Sequence, residues 1–165
     1  MCGCCRSSGG TRRGQRRRPA PRKPDVEGRP PELTWDAARC WRRLPPLPER
    51  PVGPALILLT GLAGAGKTTF AHRLAEVAPV VVISSDWERK TLIPSPHYTT
   101  KEDRRVSLAS MGLVTLLLRR GYAVVCDGAH VSESIRRNWV YQAQRAGARW
   151  VVVELIALER WSDNG

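Results

Sequence analysis

Residues 61–69, GLAGAGKTT, set three glycines beside a lysine and two adjacent hydroxyls, a combination suited to holding an anion. Gly61, Leu62, Ala63, Gly64, Ala65, Gly66, Lys67, Thr68 and Thr69 follow the spacing GxxxxGK[ST] in full. Glycines let successive backbone N–H groups turn inward around phosphate oxygens, where a Cβ would obstruct them. At this spacing Lys67 reaches the β and γ phosphates of a nucleotide and the Thr68 hydroxyl ligates Mg2+. A glycine-rich turn matching by chance is the plain alternative. The flanking residues argue against it, because an apolar run at 54–60 reads as a buried strand and helical spacing follows the loop. A helix starting there points its positive end at the same anion.

Two more carboxylates stand where they could serve that anion. Asp86 lies in ISSDWERKTL (83–92) and Asp127 in VVCDGAH (124–130), each after a β-branched run. Asp86 could accept a proton from a hydroxyl, and Arg89 three positions on could clamp an anionic group with two parallel hydrogen bonds. Equally, Asp86 could favour the first turn of a helix, with Arg89 in a surface ion pair. Asp127 could reach Mg2+ through water or help hold the loop, or could be a turn residue before Gly128. Arg136 and Arg137, on a helix after Asp127, could approach an anionic substrate, but read more readily as a solvated helical face.

The elements that must position these groups alternate. The spacing predicts a strand at 54–60, a helix with Phe70, Leu74 and Val77 facing the core, and a strand at 80–86. TTKED (99–103) offers two overlapping caps, Thr99 with Glu102 and Thr100 with Asp103, for a helix carrying Val106, Leu113 and Leu117 that Gly121 ends. A third strand at 122–128, a helix from Ser132 bearing Ile135, Trp139 and Ala143, a stop at Gly147 and a fourth strand from 150 complete the pattern. Such alternation predicts an α/β fold, a parallel sheet covered on both faces, with ligands at the carboxyl ends of its strands. The loop from Gly61, Asp86 and Asp127 all fall at such ends, so they are expected to converge on one crevice.

The chain carries neither the NKxD segment with which GTPases read guanine nor an LSGGQ-like signature of transporter-type ATPases. The loop, then SSDWERK, then VVCDGAH, resembles the small P-loop kinases that include polynucleotide kinase, adenylylsulfate kinase and zeta-toxin-like kinases, with an AAA-type ATP-binding domain over roughly residues 54–160. The resemblance implies ATP and Mg2+ as cofactors, and Asp86 as base or orienter of an acceptor hydroxyl on a small molecule or polynucleotide end. It further implies Lys67 beside Asp86 as catalytic, and Arg89 holding the substrate. The group carries a lid helix with arginines and a fifth strand after this point; the chain ends at LERWSDNG, with Arg160 the arginine nearest a lid, so both are expected to be lacking. A second reading is a catalytically weak ATP-binding module, truncated or partner-dependent, with a regulatory role. The acceptor segment LIPSPHYTT (92–100) carries no motif that names the substrate.

With 165 residues and 42% hydrophobic content, one domain is expected, at 54–165. Most of the net charge of +12 lies in residues 1–53, which hold 13 Lys and Arg against 5 Asp and Glu. That Arg- and Pro-rich leader is expected to be disordered, with at most a turn or two of helix at 33–44 placing Leu33, Ala37, Trp41 and Leu44 on one side. Clustered arginine attracts nucleic acid by charge alone, and a solvated extension is the plainer reading. Cys2, Cys4 and Cys5 lack the paired spacing of a zinc site, Cys40 and Cys126 stand singly, and no stretch suits a signal core or membrane span. A reducing, cytoplasmic setting without membrane contact is the expectation.

Overall fold

The computed structural model describes residues 33–128, 130 and 132–156. Four strands, β1 (Ala55–Thr60), β2 (Val80–Ser84), β3 (Ala123–Asp127) and β4 (Arg149–Glu154), form one parallel sheet in the order β2-β3-β1-β4. The register pairs Leu58 with Cys126, Ser84 with Asp127 and Thr60 with Glu154, so the carboxyl ends of all four strands lie along one side. β3 is buried throughout, as its unbroken apolar run requires of a central parallel strand.

The helices are α1 (Trp35–Arg43), α2 (Lys67–Val77), α3 (Ser85–Leu92), α4 (Thr100–Arg119) and α5 (Glu133–Arg145). α4 opens on the capping box of Thr99 and Glu102, the first of the two caps offered by the sequence. It stops where Gly121 takes φ +84 and the Tyr122 N–H returns to the Leu117 carbonyl at 3.1 Å. The main core lies between the sheet and the layer of α3, α4 and α5, where Leu56, Leu58, Ile83, Leu113, Leu117, Val124 and Trp139 are buried. The other face is covered more thinly by α2, with Leu59, Ala71 and Val125 fully buried. Among the described residues no helix is long and apolar enough to cross a membrane.

Two expectations are corrected. Phe70 and Val77 do not face the core: Phe70 is 37% and Val77 83% exposed, whereas Ala71 is fully buried. Lys67 must reach back into the glycine loop, and this fixes the helix so that the row Lys67, Ala71, Leu74 meets the sheet, one residue round from the row that apolar spacing favoured. Ile135 on α5 is likewise exposed, while Trp139 and Ala143 are buried as expected.

The second correction concerns the leader. Residues 33–44 are not a loose extension, since Leu33, Ala37, Ala38, Cys40, Trp41 and Leu44 are buried in the main core against α3 and α4. Thr34 caps α1 by accepting from the Ala37 N–H at 3.3 Å, Arg105 of α4 donates twice to Asp36 at 2.7 Å, and the Arg120 guanidinium lies 4.8 Å from the Trp41 ring centre. An amphipathic helix of nine residues is marginal alone, and the apolar partner that stabilises it is distant in sequence. The folded unit therefore begins by residue 33, ahead of the boundary expected at 54. Residues 1–32, with Cys2, Cys4 and Cys5, and residues 157–165, with Arg160 and any lid, lie outside the described residues.

Candidate functional site

β1 delivers the chain to Gly61, which takes φ +126 and passes so close to β4 that a Cβ would lie 2.3 Å from the Leu155 carbonyl oxygen. Only glycine meets both conditions. Gly64 and Gly66 take φ +80 and +88, and Gly66 is the N-cap of α2 with no side chain capping the first turn. The first-turn N–H groups of α2 are thus the donors an anion would use. Lys67 Nζ folds over the loop and donates to the carbonyls of Gly61 at 2.9 Å and Leu62 at 2.7 Å.

Thr68 Oγ1 donates to Asp127 Oδ2 at 2.8 Å, joining the start of α2 to the end of β3. The expected metal pair, Thr68 and Asp127, is therefore brought together. Among the described residues no group of three or more His, Cys, Asp or Glu gathers into a metal site, so a cation here would complete its shell with phosphate oxygens and water. Asp127 is buried, and beyond it the His130 carbonyl accepts from Thr60 Oγ1 at 3.1 Å and from Arg136 at 3.0 Å. Arg136 thus braces the loop after β3 in place of the solvated role read from sequence. Burial pushes the His130 pKa down to about 4, against the raising effect of Asp127 and with the help of Lys67, so the ring is neutral. It sits edge-on to Trp139, with centroids 5.7 Å apart.

Asp86 and Arg89 occupy the first and second turns of α3, which starts directly where β2 ends. Asp86 is exposed, pairs with Lys90 at 2.6 Å and accepts from the Tyr98 hydroxyl at 3.3 Å. The Lys90 hydrogen bond, chiefly, holds its pKa below the usual carboxylate value. Arg89 is buried rather than a surface group: its guanidinium meets Asp103 at 2.5 Å and Glu102 at 3.4 Å, and stands 4.8 Å from the Tyr98 ring centre. Its donors face α4 and not Asp86. β2 lies two strands from β1, so Asp86 is displaced from the glycine loop by roughly 10 Å across the sheet.

Two residues at this end, Tyr98 and Lys90, were not singled out by sequence, and a third, Glu102, was read only as a cap. Tyr98, at φ +55, links Asp86 to Arg89, and Lys90 sets the charge of Asp86. Glu102 combines its capping role with bonds from the His97 N–H at 3.1 Å and with Arg89, so it fixes the loop that carries Tyr98. The TTKED pattern announced the cap but not the other two tasks.

The AAA domain family matches residues 56–161. Over 77 residues the chain is 37% identical to a probable adenylyl-sulfate kinase of Aeropyrum pernix, a stretch that is 44% of this chain and 42% of that protein. The chain thus spans less than half the length of that curated relative. The crystal structure of APE1195 superposes with a TM-score of 0.56 at 28% identity, covering 64% of this chain and 62% of the other. The Mycobacterium tuberculosis APS kinase CysC, solved with AMPPNP and APS, gives 0.53 at 20% identity over 63% of each chain, a likeness of fold. The glycine loop and the order of strands agree with these relatives, and the chain belongs to the AAA domain family.

Proposed function

We propose that the chain binds ATP with Mg2+ at Gly61–Thr69 and transfers the γ-phosphate to a hydroxyl held at Asp86. The observation that carries this reading is the Thr68–Asp127 hydrogen bond of 2.8 Å, which joins the phosphate-binding loop to a carboxylate on the neighbouring strand. The residues fit such a ligand: the Gly61 turn excludes any Cβ, and the Lys67 ammonium already rests on carbonyls at the loop. When bound, ATP supplies the phosphoryl group and Mg2+ offsets the charge on its β and γ oxygens.

The chain's own residues do the rest. Lys67 exchanges carbonyl partners for phosphate oxygens, Thr68 and Asp127 hold the cation side, and Asp86, ionised at neutral pH, orients the acceptor hydroxyl and takes its proton. Arg89, committed to Glu102 and Asp103, positions the Tyr98 loop beside Asp86 and reaches an acceptor only by leaving those partners. Titration with AMPPNP and transfer of labelled γ-phosphate test the assignment on one variant. Asp86→Asn is expected to keep nucleotide affinity within a few-fold and lower transfer by about 10²-fold, the scale of general-base loss. Equal transfer by the wild type and the variant would remove Asp86 from the reaction.

A further inference from the structure

A cavity of 670 Å3 runs along β2, the strand at one edge of the sheet. It is lined by Val80, Val81 and Val82 of the strand, by His72 and Ala75 of α2, and by prolines of the segment after α1. That segment supplies Pro45, Pro46 and Pro48, and lies in the part of the chain ahead of the kinase-like region. Where β2 ends, the cavity reaches Ser84, Asp86, Trp87 and Lys90.

The lining is mainly apolar and carries almost no free charge. Among the described residues Lys90 is the one Lys or Arg on it, and its ammonium is offset by Asp86 at 2.6 Å. A polynucleotide end needs several cations against its phosphates, and this lining does not offer them. The volume is instead that of a site for a small organic molecule, which are concave, mostly apolar and furnished with a few polar groups that fix orientation. Asp86 is such a group, and its carboxylate is about half exposed.

We infer that this cavity seats the acceptor, and that the acceptor is a small, mainly apolar alcohol of little net charge. The inference rests on the transfer reading above and names the substrate class for it. In the step so described, the acceptor oxygen bonds to the γ-phosphorus as the bond from that phosphorus to the β–γ bridging oxygen breaks. The electron pair leaves with ADP, and the acceptor's proton passes to a carboxylate oxygen of Asp86. The proline segment makes the selectivity a property of α1 and its exit as much as of the kinase-like region, because Leu44 and three prolines of the lining come from there.

The test uses the full chain, with 2-naphthylmethanol as the apolar alcohol and a 5′-hydroxyl dinucleotide as the charged comparison. Ala75→Trp and His72→Trp each place an indole in the cavity from an exposed position on α2. The wild type is expected to bind the alcohol by calorimetry and to phosphorylate it faster than the dinucleotide. Each filled variant is expected to weaken alcohol binding at least about tenfold while AMPPNP affinity stays within about twofold. No binding of the alcohol to the wild type, unchanged binding in both filled variants, or faster labelling of the dinucleotide would each overturn the inference. Failure of the wild type to bind AMPPNP would overturn the transfer reading instead, and the alcohol titration would still decide what the cavity holds.

Discussion

Glu88 offers a direct reading of the core through its pH dependence. The side chain is buried on α3, where its carboxyl meets the Ser110 hydroxyl of α4, and burial, only partly opposed by that hydrogen bond, pushes its pKa from 4.5 up to about 8. Between these values the folded chain keeps a proton that the unfolded chain has lost, so stability falls as pH rises. His130 acts in the opposite sense, because its pKa is depressed from 6.5 to about 4 and the unfolded chain holds the extra proton in that window. From pH 4.5 to 6.5 the two slopes oppose and nearly cancel; from 6.5 to 8 Glu88 acts alone. One proton gives about 1.4 kcal/mol per pH unit, hence a loss of about 2 kcal/mol over that upper window. Glu88→Gln keeps the shape and a partner for Ser110 but cannot ionise. Urea unfolding followed by tryptophan fluorescence, at steps from pH 5 to 8, should show the wild type flat and then falling, and the variant rising to 6.5 and then flat. Parallel profiles between pH 6.5 and 8 would refute the argument that this carboxyl is held neutral by its surroundings.

Lys67→Ala should abolish AMPPNP binding while changing unfolding free energy by under about 1 kcal/mol, since among the described residues Nζ hydrogen-bonds to two loop carbonyls. Gly61→Ala forces a Cβ into the Leu155 carbonyl, so it should destabilise the chain by about 2 kcal/mol or more and lose nucleotide binding; a variant as stable as wild type would contradict the close approach. Removing residues 1–32 should leave unfolding cooperative and AMPPNP affinity unchanged while reducing salt-sensitive retention on RNA, whereas removing residues 1–44 also strips out the buried Trp41 and should yield an unfolded or aggregated chain by circular dichroism. Thr68→Ala should weaken nucleotide binding about tenfold with Mg2+ present and far less in EDTA, because the hydroxyl beside Asp127 serves the cation.

The strands and most helix ends were readable because local chemistry decides them. β-branched runs made β2 and β3, the Thr99–Glu102 box opened α4, and Gly121 and Gly147 closed two helices at φ +84 and +67. The glycine loop was readable for the same reason, as its spacing is itself the geometry. What escaped was whatever depends on packing between distant segments. Nothing in residues 33–44 reveals that α4 covers them, and nothing in D-x-x-R tells whether Arg89 turns toward Asp86 or toward the carboxylates of α4. The facing of α2 escaped because Phe70, Leu74, Val77 and Lys67, Ala71, Leu74 are equally regular rows, and only the tether of Lys67 to the loop chooses between them.

The contact between Gly61 and β4 has a bearing on when, during synthesis, the chain first becomes able to take up nucleotide. The Leu155 N–H holds the Thr60 carbonyl at 2.9 Å, and the Leu155 carbonyl fills the place a Cβ would need at Gly61. The loop is encoded ahead of its backing, since β4 leaves the ribosome after β1, β2 and β3. A nascent chain with β1 and α2 in place still has an unbraced loop until β4 docks beside β1. Ligand that binds only the closed form adds about 2.7 kcal/mol at a hundredfold excess over its dissociation constant. Cellular nucleotide would therefore act once β4 has emerged, drawing forward its docking beside β1 and favouring the chains that have completed it.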